Sequence, residues 1–144
     1  FVTLPIGPQL QALWRHPDSV TKIRDCLRHT TILLAQHNAN GVHDYNDVCC
    51  GSEYLNHVES GQISDSDMLI VLSMDGAQLY CNKVSDTWFG VATLIDLDPE
   101  IRHTKEMVLP AFVIGGPNAP KHYNSFLFPT FAHLSACQKL GLQI

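Results

Sequence analysis

The stretch Met68-Leu69-Ile70-Val71-Leu72-Ser73-Met74, followed at once by Asp75-Gly76, constrains the fold more than any other part of the chain. Its apolar character is continuous rather than alternating, which reads as a strand buried on both faces. A carboxylate carried at the end of such a strand lies beside a low-dielectric core, so Asp75 must reach water, a hydrogen-bond partner or a metal ion. Open sheets also place ligands near the carboxyl ends of their strands. Asp-Gly is equally a strong turn signal, and from the local residues alone a turn is the favoured reading of Asp75.

The rest of the chain divides around this run, near residue 62. The first part reads as helical. Pro8 opens a short helix through Gln9–Trp14 that Pro17 interrupts. Asp18 or Ser19 caps a second helix from about Val20 to His37. Its apolar face carries Ile23, Leu27, Thr30, Thr31 and Leu34, and its polar face, with Arg15 before it, carries Lys22, Arg24 and Arg28. Asn38-Ala39-Asn40-Gly41 stops it, and His43–Val48 forms a loop. Ser52 caps a short helix to about Glu59, closed by Gly61, and Ser64-Asp65-Ser66-Asp67 forms a turn.

After Asp75 and a polar interval holding Asn82, Lys83 and Ser85, Thr87–Ile95 is rich in aromatic and β-branched residues, a second strand. Met107–Ile114 is a third, in which Pro110 favours an edge or a bulge. Beyond the turn-rich Gly115–Pro120, a helix begins at about Ser125 with Pro129 in its first turn and Gly141 as its C-cap. Leu127, Phe131, Leu134 and Cys137 or Gln138 stack at helical spacing.

A length of 144 residues with 45% hydrophobic residues suits one core. With 16% charged residues and a net charge of −5, the chain is not a disordered charged tail. No apolar run approaches the roughly 20 residues a membrane span needs, and no signal segment is evident. A first residue of Phe rather than Met points to a fragment or processed product. Cys26, Cys49, Cys50, Cys81 and Cys137 make an odd, irregular set, read as reduced thiols in an intracellular protein. A zinc site drawn from Cys26, His29, Cys49, Cys50 or His57 lacks CxxC or HxxxH spacing and is the weaker reading.

Three consecutive strands followed by a helix, with an acid on the first strand, open an RNase H-like fold. The string Asp67-Met68-Leu69-Ile70-Val71-Leu72-Ser73-Met74-Asp75-Gly76-Ala77-Gln78-Leu79-Tyr80 resembles a signature of fungal CACTA-type (En/Spm-like) transposases. Lys83, Ser85-Asp86-x-Trp88, Leu94–Arg102, Leu109-Pro110, Gly115–Lys121 and Asn124–Pro129 continue the resemblance in order. Upstream, Tyr45-Asn46-Asp47-Val48 and Gly51-Ser52-x-Tyr54-Leu55 are similar to the family's aspartate-rich loop and helix. The likeness covers roughly residues 45–144 and reverses the turn reading of Asp75.

The resemblance implies an α/β chain: a helical N-terminal extension over 1–62, then a truncated RNase H-like core over 63–144 made of a three-stranded sheet and the following helix. It implies the amino-terminal part of a nuclear DNA transposase that cuts element ends and joins 3′ hydroxyls to target DNA. Such enzymes hold two divalent ions, Mg²⁺ or Mn²⁺, on three carboxylates; the ions polarise the phosphate and stabilise the leaving oxygen. Asp75 matches the first carboxylate, as catalytic and metal-binding residue. The family's later acids fall beyond Ile144, so the isolated chain is expected to be inactive and to hold the metal weakly or not at all.

Other readings keep a place. Asp96 and Asp98 make a possible ligand pair, but capping of the strand end before Pro99 is favoured. Gly115-Gly116 lacks phosphate-loop spacing. Trp88 and Phe89 could stack on bases, yet belong more naturally to a core. His103 and His122 fit solvated surface positions better than phosphate contacts. Nine basic residues against fourteen acidic ones do not make a self-sufficient DNA-binding module, because duplex affinity rests on neutralising phosphates. The chain is expected to meet DNA only through the complete parent protein, with no membrane partner and with oligomerisation open. The alternatives are a non-enzymatic transposon remnant, a domesticated interaction domain, or an unrelated α/β domain binding a ligand at its strand ends.

Overall fold

A computed structural model of the chain describes residues 1–40, 45–79, 86–116 and 120–143, apart from the side chains of Cys26, Leu27, Asn40 and Asp86. The expectations placed on His43, Asp44, Asn82, Lys83, Ser85 and the Pro117–Ala119 turn lie outside these residues.

The described elements run β1 (Val2–Thr3), α1 (Ile6–Arg15), α2 (Pro17–Asn40), a 3₁₀ turn at Val48–Cys50, α3 (Ser52–Glu59), β2 (Ile70–Gln78), β3 (Asp86–Leu94), β4 (Leu109–Gly115) and α4 (Tyr123–Leu140). The three long strands are those the sequence pattern predicts. They form a mixed α/β architecture around one antiparallel sheet of order β1-β4-β3-β2. The sheet has four strands rather than three, because the N-terminal Val2 and Thr3 pair with Val113 and Phe112 on β4. Two residues are too few to carry a periodic signal, so β1 is invisible to pattern reading.

β2 differs from its prediction in a way that matters. It is not buried on both faces: Ile70, Leu72 and Met74 are half-buried and pack on the core, while Val71, Ser73 and Asp75 are exposed. Among the described elements, α1 and α4 pack against β4. A continuous apolar run thus lies at the sheet edge with one side facing water.

Pro110 sits where the β3–β4 register shifts: Gly90 faces Phe112 while Val91 faces Pro110, leaving Ala111 as the extra residue of a bulge. Gly90 allows the adjacent strands to pack here. A Cβ on Gly90 would lie 2.1 Å from the Phe112 ring, and Phe112 is fully buried.

The helix boundaries shift for identifiable reasons. α2 begins at Pro17 itself, since a first-turn proline gives up an N–H that has no helical partner, and His16 accepts the Val20 N–H at 3.1 Å. α3 begins at Ser52 with Gly51 before it, and Gly61 follows with φ 72°. α4 starts two residues earlier than expected, which places Pro129 inside the helix rather than in its first turn.

Two buried clusters form among the described residues. In the larger, Ile6 and Leu10 of α1 and Ile23 of α2 pack with Leu94, Leu97, Leu109, Phe112 and Ile114. The smaller joins Leu33 of α2 and Cys49, Cys50, Tyr54 and Leu55 to Ile95, where β3 ends. Residues from both sides of position 62 therefore share the main core. No described helix is long and apolar enough to cross a membrane.

Candidate functional site

Asp75 stands on the exposed face of β2, opposite Phe89 on β3. Its carboxylate Oδ1 accepts the N–H of its neighbour Gly76 at 2.8 Å. Gly76 lies on the core side, where the Trp88 indole passes within 3.0 Å of the position a Cβ would take. Trp88 in turn meets the Tyr123 ring edge-on at 5.8 Å. Asp75 is thus held in the body of a sheet rather than on a hairpin tip, and it is open to solvent. Among the described residues no group of three His, Cys, Asp or Glu side chains converges on a cation site, at Asp75 or elsewhere. A single carboxylate offers Mg²⁺ one hard oxygen ligand and does not form a closed site.

The opposite end of β2 carries the denser polar construction. From Leu69 to Asp75 is six residues, about 20 Å of extended strand. Asp96, just past β3, is buried and accepts the Leu69 N–H at 2.8 Å, taking the place of the next ladder bond. Burial pushes its carboxyl above the usual carboxylate range, against the lowering effects of the Leu69 N–H and of Arg102. Asp98 behaves differently: it is exposed, and its Oδ1 accepts the Glu100 N–H at 2.8 Å. The two acids therefore point to different surroundings and shape the strand end instead of sharing a ligand.

Arg102 completes this corner. Its Nη1 donates to Asp47 Oδ1 at 2.8 Å and its Nη2 to Asp47 Oδ2 at 2.5 Å, with both side chains largely withdrawn from solvent. Its Nε donates to the Leu97 carbonyl at 2.8 Å and its Nη2 to that of Ile95 at 2.8 Å. The planar fork thus ties the segment before the 3₁₀ turn to the end of β3. Asp47 also accepts the Val48 N–H at 2.7 Å and so caps that turn. Sequence reading did not single out Asp47 or Arg102, although both lie in segments that carry the family resemblance. Only their meeting across 55 positions reveals the pair.

Beside this corner lies a cleft of about 690 Å³, walled by Lys22, Asp25, Arg28 and His29 of α2 and by Asp98, Pro99 and Glu100, with Cys49 and Cys50 among its lining residues. Asp75 is not among them. Both thiols are buried: Cys49 Sγ lies 4.0 Å from the Ile95 carbonyl and Cys50 Sγ 3.2 Å from Asn46 Oδ1. His29 and His57 are exposed on separate helices, and the side chain of Cys26 lies outside the described residues. Arg15, Lys22, Arg24 and Arg28 are exposed along the end of α1 and the start of α2, and His103 and His122 are also exposed. Trp88 and Phe89 are half-buried on opposite faces of β3, neither fully in the core.

A second polar contact fixes α1 to α4. His133 Nε2 accepts the Gly7 N–H at 3.0 Å and stands 3.7 Å from Cys137 Sγ. Accepting that bond places the ring proton of a neutral His133 on Nδ1.

Comparison of the chain with protein-family models, with curated proteins and with solved structures gives no match.

Proposed function

We propose that this chain is the amino-terminal part of a DNA transposase with an RNase H-like catalytic core, and that Asp75 is one of that core's metal-binding carboxylates. One observation carries the reading: β2, β3 and β4 follow one another as antiparallel neighbours, Asp75 lies in the first of them, and α4 returns against the same sheet. The string from Asp67 to Tyr80 that resembles the transposase signature coincides with that first strand. Solvent exposure of Asp75 supports the reading too, because a ligating carboxylate must be reachable by cation and phosphate.

The described residues do not complete a metal site, so no chemical step is assigned to this chain alone. Removing members of a cooperative catalytic set abolishes most activity. The 144-residue chain is accordingly expected to leave supercoiled plasmid DNA intact in Mg²⁺ or Mn²⁺. Nicking above an Asp75→Ala control would overturn that expectation. The role of Asp75 has its own test: millimolar Mn²⁺ should broaden the Gly76 amide resonance more in the native chain than in Asp75→Asn. Equal broadening removes Asp75 from the metal.

That no group of three metal-ligating side chains converges among the described residues also favours a second reading, a non-enzymatic transposon remnant or domesticated interaction domain. The product of the complete reading frame separates the two. Divalent-ion-dependent DNA cleavage that Asp75→Asn abolishes supports the transposase, and DNA left intact by that full product supports the remnant.

A further inference from the structure

The start of α1 has no side-chain cap of its own, and we propose that His133 of α4 closes it as a proton-sensitive latch. The neutral imidazole holds the first turn of α1, and protonation releases it. Pro5 precedes the helix and offers no side-chain hydrogen bond. Pro8 lacks an N–H, so Gly7 carries one of the few donors in this turn. Gly7 is buried, and a buried N–H left without a partner is costly. His133 Nε2 supplies the acceptor at 3.0 Å, across 126 positions of sequence. Glycine permits this approach, since a Cβ at position 7 would stand 3.0 Å from Nε2 and 3.2 Å from Cys137 Sγ.

An imidazole nitrogen accepts a hydrogen bond only while it carries no proton. Protonation places an N–H on Nε2, so two donors face each other and the bond is lost. The positive charge also falls beside the N-terminus of a helix, whose dipole disfavours it. No carboxylate on the surrounding elements offsets this. Residues 1–17 and 107–144, which hold β1, α1, β4 and α4, contain no Asp or Glu. On α4 the titratable groups are Cys137, 3.7 Å from Nε2, with His122 and Tyr123 at the helix start and Lys139 in its last turn. α1 adds only Arg15 at its far end, β1 follows the Phe1 amine, and β4 adds none. In acid none of these groups is negative.

The latch sits where the N-terminal segment is fastened to the rest of the fold. Upstream of it, Val2 and Thr3 pair with β4, and the Leu4 N–H donates to the Ala111 carbonyl at 2.7 Å. The Phe1 ring meets Phe126 of α4 edge-on at 5.1 Å. Downstream, Leu10 is buried in the main core and anchors the remainder of α1. Opening the first turn therefore loosens β1 and the bond at Leu4 while the core stays packed. The result in acid is a local opening rather than global unfolding.

Amide exchange in the 144-residue chain, corrected for the intrinsic effect of pH on exchange, tests this. The measurement runs from about pH 8 to about pH 5, the range over which histidines change charge. Protection at Gly7 and Leu4 should fall roughly tenfold, the order expected for one lost hydrogen bond. Protection at Leu55, in the smaller cluster, should hold. His133→Gln puts a non-titrating carbonyl near the Nε2 position and should keep Gly7 protected throughout, while His133→Ala should leave it poorly protected at both ends. The ring nitrogen resonances of the native chain at about pH 8 should show the proton on Nδ1. The proposal is overturned by native Gly7 protection that ignores pH, by an equal fall at Leu55 or in His133→Gln, by strong protection in His133→Ala, or by a ring proton on Nε2.

Discussion

Arg102 is a charged side chain that the fold buries. A buried guanidinium is costly unless every donor is directed, and here Asp47 and the carbonyls of Ile95 and Leu97 receive them. Replacing it with Ala leaves the Asp47 carboxylate unpaired and two carbonyls unserved. Arg102→Ala is expected to lower unfolding free energy by about 3–5 kcal/mol, read from urea denaturation. Arg102→Lys should recover little of this, since an ammonium cannot serve a bidentate carboxylate and two carbonyls at once. Full recovery by Lys would show that charge alone matters.

Asp96 sets a pH dependence of definite sign. Its carboxyl titrates above the ordinary range because it is buried, so the folded chain holds a proton that the unfolded chain has already released. Stability from this group is complete below the ordinary carboxylate value, about pH 4. It declines as pH rises toward the raised folded value and levels off above it. Asp67 acts oppositely: hydrogen bonds from the Ser64 N–H and hydroxyl lower its pKa, so its small contribution is present above the ordinary value and is lost as pH falls through the lowered one. Asp96→Asn retains an acceptor for the Leu69 N–H. Denaturation of this variant from pH 4 upward should lack the decline seen in the native chain, and an unchanged slope would assign that decline to another group.

At the scale of elements, strand type followed from the residues and strand placement did not. Thr87–Ile95 declares a strand through its aromatic and β-branched residues, and β3 spans Asp86–Leu94. The apolar run before Asp75 equally declares a strand, but a run buried on both faces and a run at an uncovered edge have the same letters. The same holds at α4, where Pro129 was expected in the first turn of a helix beginning at about Ser125. Tertiary packing of Phe126, Leu127 and Leu134 on the main core keeps the helix going around it. Interior proline removes a backbone bond and crowds the preceding turn. Pro129→Ala is therefore expected to stabilise the chain by about 1–3 kcal/mol, visible as a higher urea midpoint. A lower midpoint would mean that packing of the proline ring outweighs the missing bond.

The whole molecule is held together by contacts that cross the apparent boundary at residue 62. Ile6, Leu10 and Ile23 fill the same core as Leu94 and Phe112, and β1 extends the sheet from the N-terminal side. Residues 63–144 expressed alone are expected to lack a cooperative unfolding transition and to regain one when residues 1–62 are added in trans. Cooperative unfolding of the shorter piece would show that the helical segment is dispensable to the core.

The sequence by itself determined the order and kind of the long elements, because hydrophobic periodicity, β-branching and turn residues act locally. It also marked Asp75 as a carboxylate on the first long strand. Only the tertiary structure decided that β2 is the last described strand of the sheet, that Asp75 faces solvent, and that Asp47 meets Arg102. Those facts depend on which surfaces cover one another at long range, and no local pattern of residues encodes a neighbour 55 positions away.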